Sequence, residues 1–472
     1  MKTKNNWTAV RLGRTPRAGH SVRTTCTWLI AAALLLAAIP LRAAGPEADG
    51  GVPGPYPVGH TSFVSMTDFG RAVAVDVYYP ANPRFISNRS REARYALDLT
   101  DPTLGYSTSS QWERLGYDRA FESPQAADGP FPLVMFGTAL GMPAWGYLYI
   151  GTRLASHGSV VAVVQGFREG FWDDQEWDDN PYLWFFYRPR EFSFALDEML
   201  RRDREPGHLL HRAIDHRFIV AAGHSLGGYA ALVQLAGDDQ LCDANEFRWW
   251  GDFVPPDGTC VPTRADHRFT ALITLDGPQE FLRWEELSRI SVPSLIMGQA
   301  SWADEDNALP DAPYWTYLAR PHAAISAHQR AARVDVKQVD HISFANGGDG
   351  ITLFRNARLI SRQEAEDHSW MYPGVDSGKI TLPPREAQRI TTKYLVAFLK
   401  AEVTSERSGI SRQILTQAYT IANEPNAEIY WHENRPPGTP LPRGTFTYFI
   451  DMVPGTWAVG EKNPAGFFIP YP

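Results

Sequence analysis

The stretch "HRFIVAAGHSLGGYAALVQLAG", residues 216–237, constrains this chain more than any other. An apolar run from Phe218 to Ala222 leads into Gly223-His224-Ser225-Leu226-Gly227, and a helix-forming series of Ala, Leu and Val follows. A Gly-x-Ser-x-Gly pentamer arises easily by chance, so its flanks decide what it means. Strand, glycine-framed serine, helix is the layout of a sharp turn that lifts a serine above the edge of a parallel sheet. Such a turn needs other buried strands beside it.

The rest of the chain supplies them. "FPLVMFG" (131–137) is a short apolar run, "YLYIGTRLASHG" (147–158) has helical spacing with a glycine stop, and "SVVAVVQG" (159–166) is a second apolar run. That order implies parallel strands covered on both faces. Further strands are expected in "RFTALITLDG" (268–277), "SVPSLIMGQ" (291–299) and "ARVDVKQVDH" (332–341). "RAVAVDVYYP" (71–80) alternates and ends at a proline, which predicts an edge strand. Amphipathic helices are expected over 190–203 and 385–403, and 84–130 reads as loop and short helix. The fold class is therefore α/β, a mostly parallel central sheet with helices on both faces.

Six basic residues from Lys2 to Arg23 precede the apolar run "WLIAAALLLAAI" (28–39), and small residues surround Ala43-Ala44. Twelve apolar residues are too few for a bilayer span, which needs about 20, and the order is that of a secretory signal peptide. We expect a signal peptide over 1–44, export, and no stable membrane insertion after cleavage. Residues 45–402 would form the α/β domain, with insertions at 167–187 and 238–267, and 403–472 an extension packed on it. The first insertion is acidic and aromatic, without the glycine and ligand order of a calcium loop, and reads as a long surface loop. Without residues 1–44 the chain keeps 38 basic against 53 acidic residues, a net charge near −15. That disfavours nucleic acid and anionic membranes as partners. Cys26 lies before the apolar run, so Cys242 and Cys260 remain as a possible disulfide, too few for a zinc site.

A serine hydroxyl needs a base, a carboxylate to orient that base, and donors for an oxyanion. With Ser225 in the turn, the partners should follow in the order acid, then histidine. His341, in "VDHISFANGG", follows an alternating strand, whereas His322, His328 and His368 lie in helical or irregular polar context. Asp276 closes the apolar strand "TALITLD", and Asp304 lies among acidic neighbours after the next strand. A lone carboxylate closing an apolar strand must have a partner, which favours Asp276 and leaves Asp304 as the alternative acid. The Leu226 amide is one oxyanion donor, and "FGTALGMPAWG" offers the other near Ala139 and Leu140.

With these residues in place, the chain resembles the α/β-hydrolases of the platelet-activating-factor acetylhydrolase type and related dienelactone-hydrolase-like esterases. The resemblance is spread over most of 131–402. "FPLVMFGTALG" with "LASHGSVVAVV" is similar to the family's oxyanion strand and following unit, and "YRPREFSFALDEML" to its arginine-proline helix. "AAGHSLGG" resembles its nucleophile motif, "ALITLDG" its acid-bearing strand and "DHISFAN" its histidine loop. The resemblance implies Ser225, Asp276 and His341 as the triad, and the Leu140 and Leu226 amides as the oxyanion hole. It also implies hydrolysis of a small-molecule carboxylic ester with no metal or organic cofactor, while the Trp, Phe and Tyr near the expected cleft edge point to an apolar or aromatic substrate. One departure is that Gly137-Thr138-Ala139 stands where the family has Ser-His-Gly. Two other readings stay open: a hydrolase of another acyl bond (lactone, thioester or amide), and a non-catalytic binding protein on the same scaffold.

Overall fold

The parallel core is built from strands buried on both faces, as their uninterrupted apolar sequences require. The computed structural model describes residues 49–87, 89–166, 182–242, 261–278, 282–300, 321–327, 329–374, 382–404 and 409–431. The signal peptide over 1–44, Cys260, His328, Asp304 and the tail after 431 lie outside the described residues. Ten strands form one sheet: β1 (Val58–Met66), β2 (Ala72–Pro80), β3 (Ala120–Glu122), β4 (Phe131–Gly137), β5 (Val160–Gln165), β6 (Ile214–His224), β7 (Ala271–Leu275), β8 (Ser294–Gln299), β9 (Ala331–Val336) and β10 (Ala427–Tyr430). Their order is β10-β9-β8-β7-β6-β4-β5-β2-β1-β3. From β5 to β9 all neighbours are parallel. β2 runs antiparallel to β5 and to β1, and β10 antiparallel to β9. This is the α/β-hydrolase fold.

Helices cover both faces. α1 (Leu148–Ser156) and α5 (Pro384–Phe398) bury Leu148, Ile150, Leu154, Tyr394, Leu395 and Phe398 against one face, with Val134 and Phe136 of β4. α2 (Tyr182–Arg204) and α3 (Leu226–Ala236) bury Phe192, Leu196, Met199, Leu232 and Val233 against the other, with Leu133 and Met135. Successive residues of β4 thus serve opposite cores, as the period of two demands. α4 (Gly347–Asn356) follows the histidine loop.

Three expectations are corrected. The strand at 72–80 is internal: β1 covers its outer side, while Ala74–Tyr78 pair with β5 on the other. Pro80 stands beyond the last β5 pair, where its missing N–H breaks no ladder bond on that side. α2 begins at Tyr182, inside the expected surface loop, and contains Pro189. An internal proline costs about 3 kcal/mol. Here burial of Trp184 and Phe186 offsets it, and Gln234 Nε2 donates to the Pro189 carbonyl at 2.6 Å. The segment 84–130 also holds a small hairpin, Arg94–Ala96 with Tyr106–Thr108, besides short helix and loop.

Candidate active site

β6 and β7 are parallel neighbours and β9 lies beyond β8 in the same parallel set, and their carboxyl ends deliver Ser225, Asp276 and His341 to one edge. Ser225 follows β6 with φ 52° and ψ −126°, a conformation that L residues rarely adopt. The turn holds because Ser225 N–H donates to the Leu275 carbonyl at 2.9 Å and the Ser225 carbonyl accepts from Tyr229 N–H at 3.0 Å. It is also tight. A Cβ on Gly223 would lie 2.2 Å from the Gly227 carbonyl oxygen, and one on Gly227 would lie 2.1 Å from that of Gly137. The glycines framing the serine are therefore steric requirements of helix-on-strand contact.

Asp276 also has a left-handed backbone, at φ 44°, and is 1% exposed. Its Oδ1 accepts from Gln299 N–H at 3.0 Å, and Oδ2 lies 3.3 Å from His341 Nδ1. Burial raises its pKa above the ordinary carboxylate range, opposed by the His341 contact and the Gln299 N–H. His341 opens a 3₁₀ turn, His341–Phe344, and its side chain is 29% exposed. Asp340 pins that turn: Oδ1 accepts from Ser343 N–H at 3.0 Å and Oδ2 from Gly374 N–H at 2.6 Å. Asp340 Oδ1 also accepts from Ser343 Oγ at 2.6 Å, so this carboxylate caps the turn. Ser225 is half-buried and makes no side-chain hydrogen bond to His341 here. Such bonds often form only when substrate is bound.

In the loop after β4 two of the neighbouring amides are engaged within the protein. Thr138 N–H donates to the Val164 carbonyl at 3.1 Å, and Ala139 N–H to the Tyr147 hydroxyl at 3.0 Å. The amides of Leu140 and Leu226 donate to no acceptor among the described residues. Leu226 is buried and Leu140 half-buried, which fits groups open to an incoming acceptor. Leu226 is the first residue of α3, where the free N–H groups and the helix dipole favour negative charge.

Sequence reasoning missed three residues around this loop. Arg188 on α2, 1% exposed, donates from Nη2 to the Thr138 carbonyl at 2.9 Å and hydroxyl at 2.6 Å. Thr138 thereby has a partner specific to this loop sequence. Tyr147 and His224 lie on the other side, the Tyr147 hydroxyl 2.7 Å from His224 Nδ1. Nothing in the spacing marked either one. His322 is buried with Nε2 3.1 Å from the Ala331 carbonyl, and His368 Nδ1 lies 2.8 Å from that of Glu364. Cys242 is disulfide-bonded. Among the described residues no cluster of three His, Cys, Asp or Glu is arranged to hold a metal, and no helix is long and apolar enough to cross a membrane.

A half-buried serine on a strained turn at the sheet edge, a buried carboxylate beside an imidazole, and two unengaged amides form a set able to perform acyl transfer. No protein-family model matches the chain. Over 232 residues it is 28% identical to platelet-activating factor acetylhydrolase of Cavia porcellus, covering 40% of this chain and 52% of that protein. The chain thus spans about half the length of that relative. A solved structure of a ferulic acid esterase from Streptomyces cinnamoneus matches with a TM-score of 0.47 and 20% identity, covering 80% of this chain and 96% of the other. Over that stretch the sequence resembles platelet-activating factor acetylhydrolase, and the sheet topology is that of an α/β-hydrolase.

Proposed function

We propose that this protein is an exported serine hydrolase that cleaves small-molecule carboxylic esters through an acyl-enzyme. The observation that carries this reading is the Asp276–His341 pair standing at the same sheet edge as Ser225 on its strained turn. Ser225 Oγ attacks the ester carbonyl while His341 Nε2 takes its proton, and Asp276 holds Nδ1–H. The oxygen that becomes negative is stabilised by the Leu140 and Leu226 amides. His341 returns the proton to the leaving alcohol. Water, deprotonated by His341, then attacks the acyl group and regenerates Ser225.

A substrate with an apolar or aromatic portion suits the loop. A Cβ on Gly141, the residue after Leu140, would lie 3.6 Å from the Trp370 ring, so an indole stands against the oxyanion loop. The basic and then apolar start of the chain supports export by a signal peptide over residues 1–44. The domain over 45–402 and its extension form part of the same proposal, and β10 joins that extension to the sheet through β9.

The test is hydrolysis of p-nitrophenyl acetate, butyrate and octanoate by the purified protein beside Ser225→Ala. Turnover abolished by the substitution, with fluorophosphonate labelling of wild type only, is expected. No turnover and no labelling of wild type would leave the binding-protein reading in its place.

A further inference from the structure

The histidine loop and the oxyanion loop are joined along a seam outside the proton path of the triad. Asn346 N–H donates to the Gly146 carbonyl and Asn346 Nδ2 to that of Trp145, both at 2.8 Å. Tyr149 OH donates to the Phe344 carbonyl at 2.8 Å. Tyr147 and His224 lie within this seam, each 0% exposed. The Tyr147 oxygen accepts from Ala139 N–H at 3.0 Å and lies 2.7 Å from His224 Nδ1. The His224 ring in turn lies 4.6 Å from the His341 ring, centroid to centroid, tilted by 42°.

We propose that Tyr147 and His224 are positioning residues that set the oxyanion hole and the catalytic base against one another. The inference rests on the ester-hydrolase reading above. By taking the Ala139 N–H, Tyr147 fixes the register of the loop and leaves Leu140 as the amide that faces the oxyanion. In this arrangement the Tyr147 hydroxyl accepts from Ala139 N–H and donates its own proton to His224 Nδ1, which puts the His224 proton on Nε2. The ring is then neutral. That matters in the reaction, because His341 becomes positively charged on taking the Ser225 proton, and a second cation at this distance would oppose the transfer. Burial and His341 itself push the His224 imidazole well below the usual histidine range, with the His341 main chain acting in the opposite sense. The titratable groups facing His341 are Asp276 from the end of β7, His224 from β6 and Asp340 in its own turn.

The experiment measures kcat and KM for p-nitrophenyl butyrate, per fluorophosphonate-titrated site, in wild type and three variants. Tyr147→Phe removes only the hydroxyl. His224→Asn keeps an acceptor near the Nδ1 position, whereas His224→Leu keeps the volume and loses the acceptor. Tyr147→Phe is expected to lose about 10- to 100-fold in kcat with KM within about threefold, as an interaction felt mainly in the transition state should. His224→Asn is expected to exceed His224→Leu about tenfold or more in kcat, an order that simple packing would reverse. A Tyr147→Phe enzyme keeping half or more of its kcat, or a Leu variant equal to the Asn variant, overturns the inference. A wild type that neither turns over nor labels refutes the ester-hydrolase reading instead, so the two failures are distinguishable.

Discussion

Replacing Asp276 by Asn separates activity from stability in a way the geometry dictates. Gln299 N–H donates to Oδ1 at 3.0 Å, so a carboxamide must put its oxygen there and its NH₂ at the Oδ2 position, 3.3 Å from His341 Nδ1. An NH₂ at that place requires a lone pair on Nδ1, which moves the imidazole proton to Nε2. The base then faces Ser225 with a proton it cannot accept through. The expected loss in kcat is about 10³- to 10⁴-fold, with KM little changed. Stability should move the other way. The Asp276 pKa is raised by burial, so the folded state holds that proton more tightly than the unfolded chain does. Its contribution is fully present below the unfolded pKa, near pH 4, and is lost as pH rises through the folded value. A neutral amide carries no such loss. The Asp276→Asn protein should therefore melt at or above the wild-type temperature at pH 7, with the difference shrinking as pH falls toward about 4. The assay pairs p-nitrophenyl ester kinetics with thermal unfolding across that range. A kcat within tenfold of wild type would refute Asp276 as the orienting acid and turn attention to Asp304.

Two further substitutions test the surrounding structure. Gly227→Ala places a Cβ 2.1 Å from the Gly137 carbonyl oxygen, a main-chain atom that cannot yield locally. A loss of about 3 kcal/mol is expected in thermal or urea unfolding, against no measurable loss for Gly409→Ala, whose added Cβ meets nothing within 4 Å. Equal melting of the two variants would contradict the tight turn. Asp238 is 0% exposed and burial pushes its pKa up to about 7, with Tyr229 OH and Leu241 N–H donating to its carboxylate. Its stabilisation is full below about pH 4 and lost as pH rises through about 7. Wild type should thus lose several degrees more in Tm than Asp238→Asn between pH 5 and 8, and parallel curves would count against the buried carboxylate.

The parallel strands were legible because burial on both faces writes itself as continuous apolar sequence. What misled was local punctuation. Pro80 suggested an edge, yet an edge is a relation between strands, and β1 with its alternating burial took the outer place. Pro189 sits inside a helix because Trp184 and Phe186 are buried around it, which depends on partners far away in sequence. Neither outcome is a property of the segment read alone.

The same distinction runs through the candidate site. Ser225, Asp276 and His341 each follow a strand on the same side of a parallel sheet, so chain order alone carries them toward one edge. Which amides remain for an oxyanion could not be read that way, because it depends on who takes the others. Val164 takes Thr138 N–H and Tyr147 takes that of Ala139, each from a different element, which leaves Leu140 as the first unengaged amide of the loop. Arg188 acts similarly, reaching 50 residues back to hold the Thr138 carbonyl and hydroxyl. Loop sequence can therefore drift while the amides stay aimed, provided the neighbouring side chains continue to occupy the amides and carbonyls beside them. On that argument the proposed hole would depend on Tyr147 and Arg188 as much as on the Leu140 and Leu226 N–H groups assigned to it.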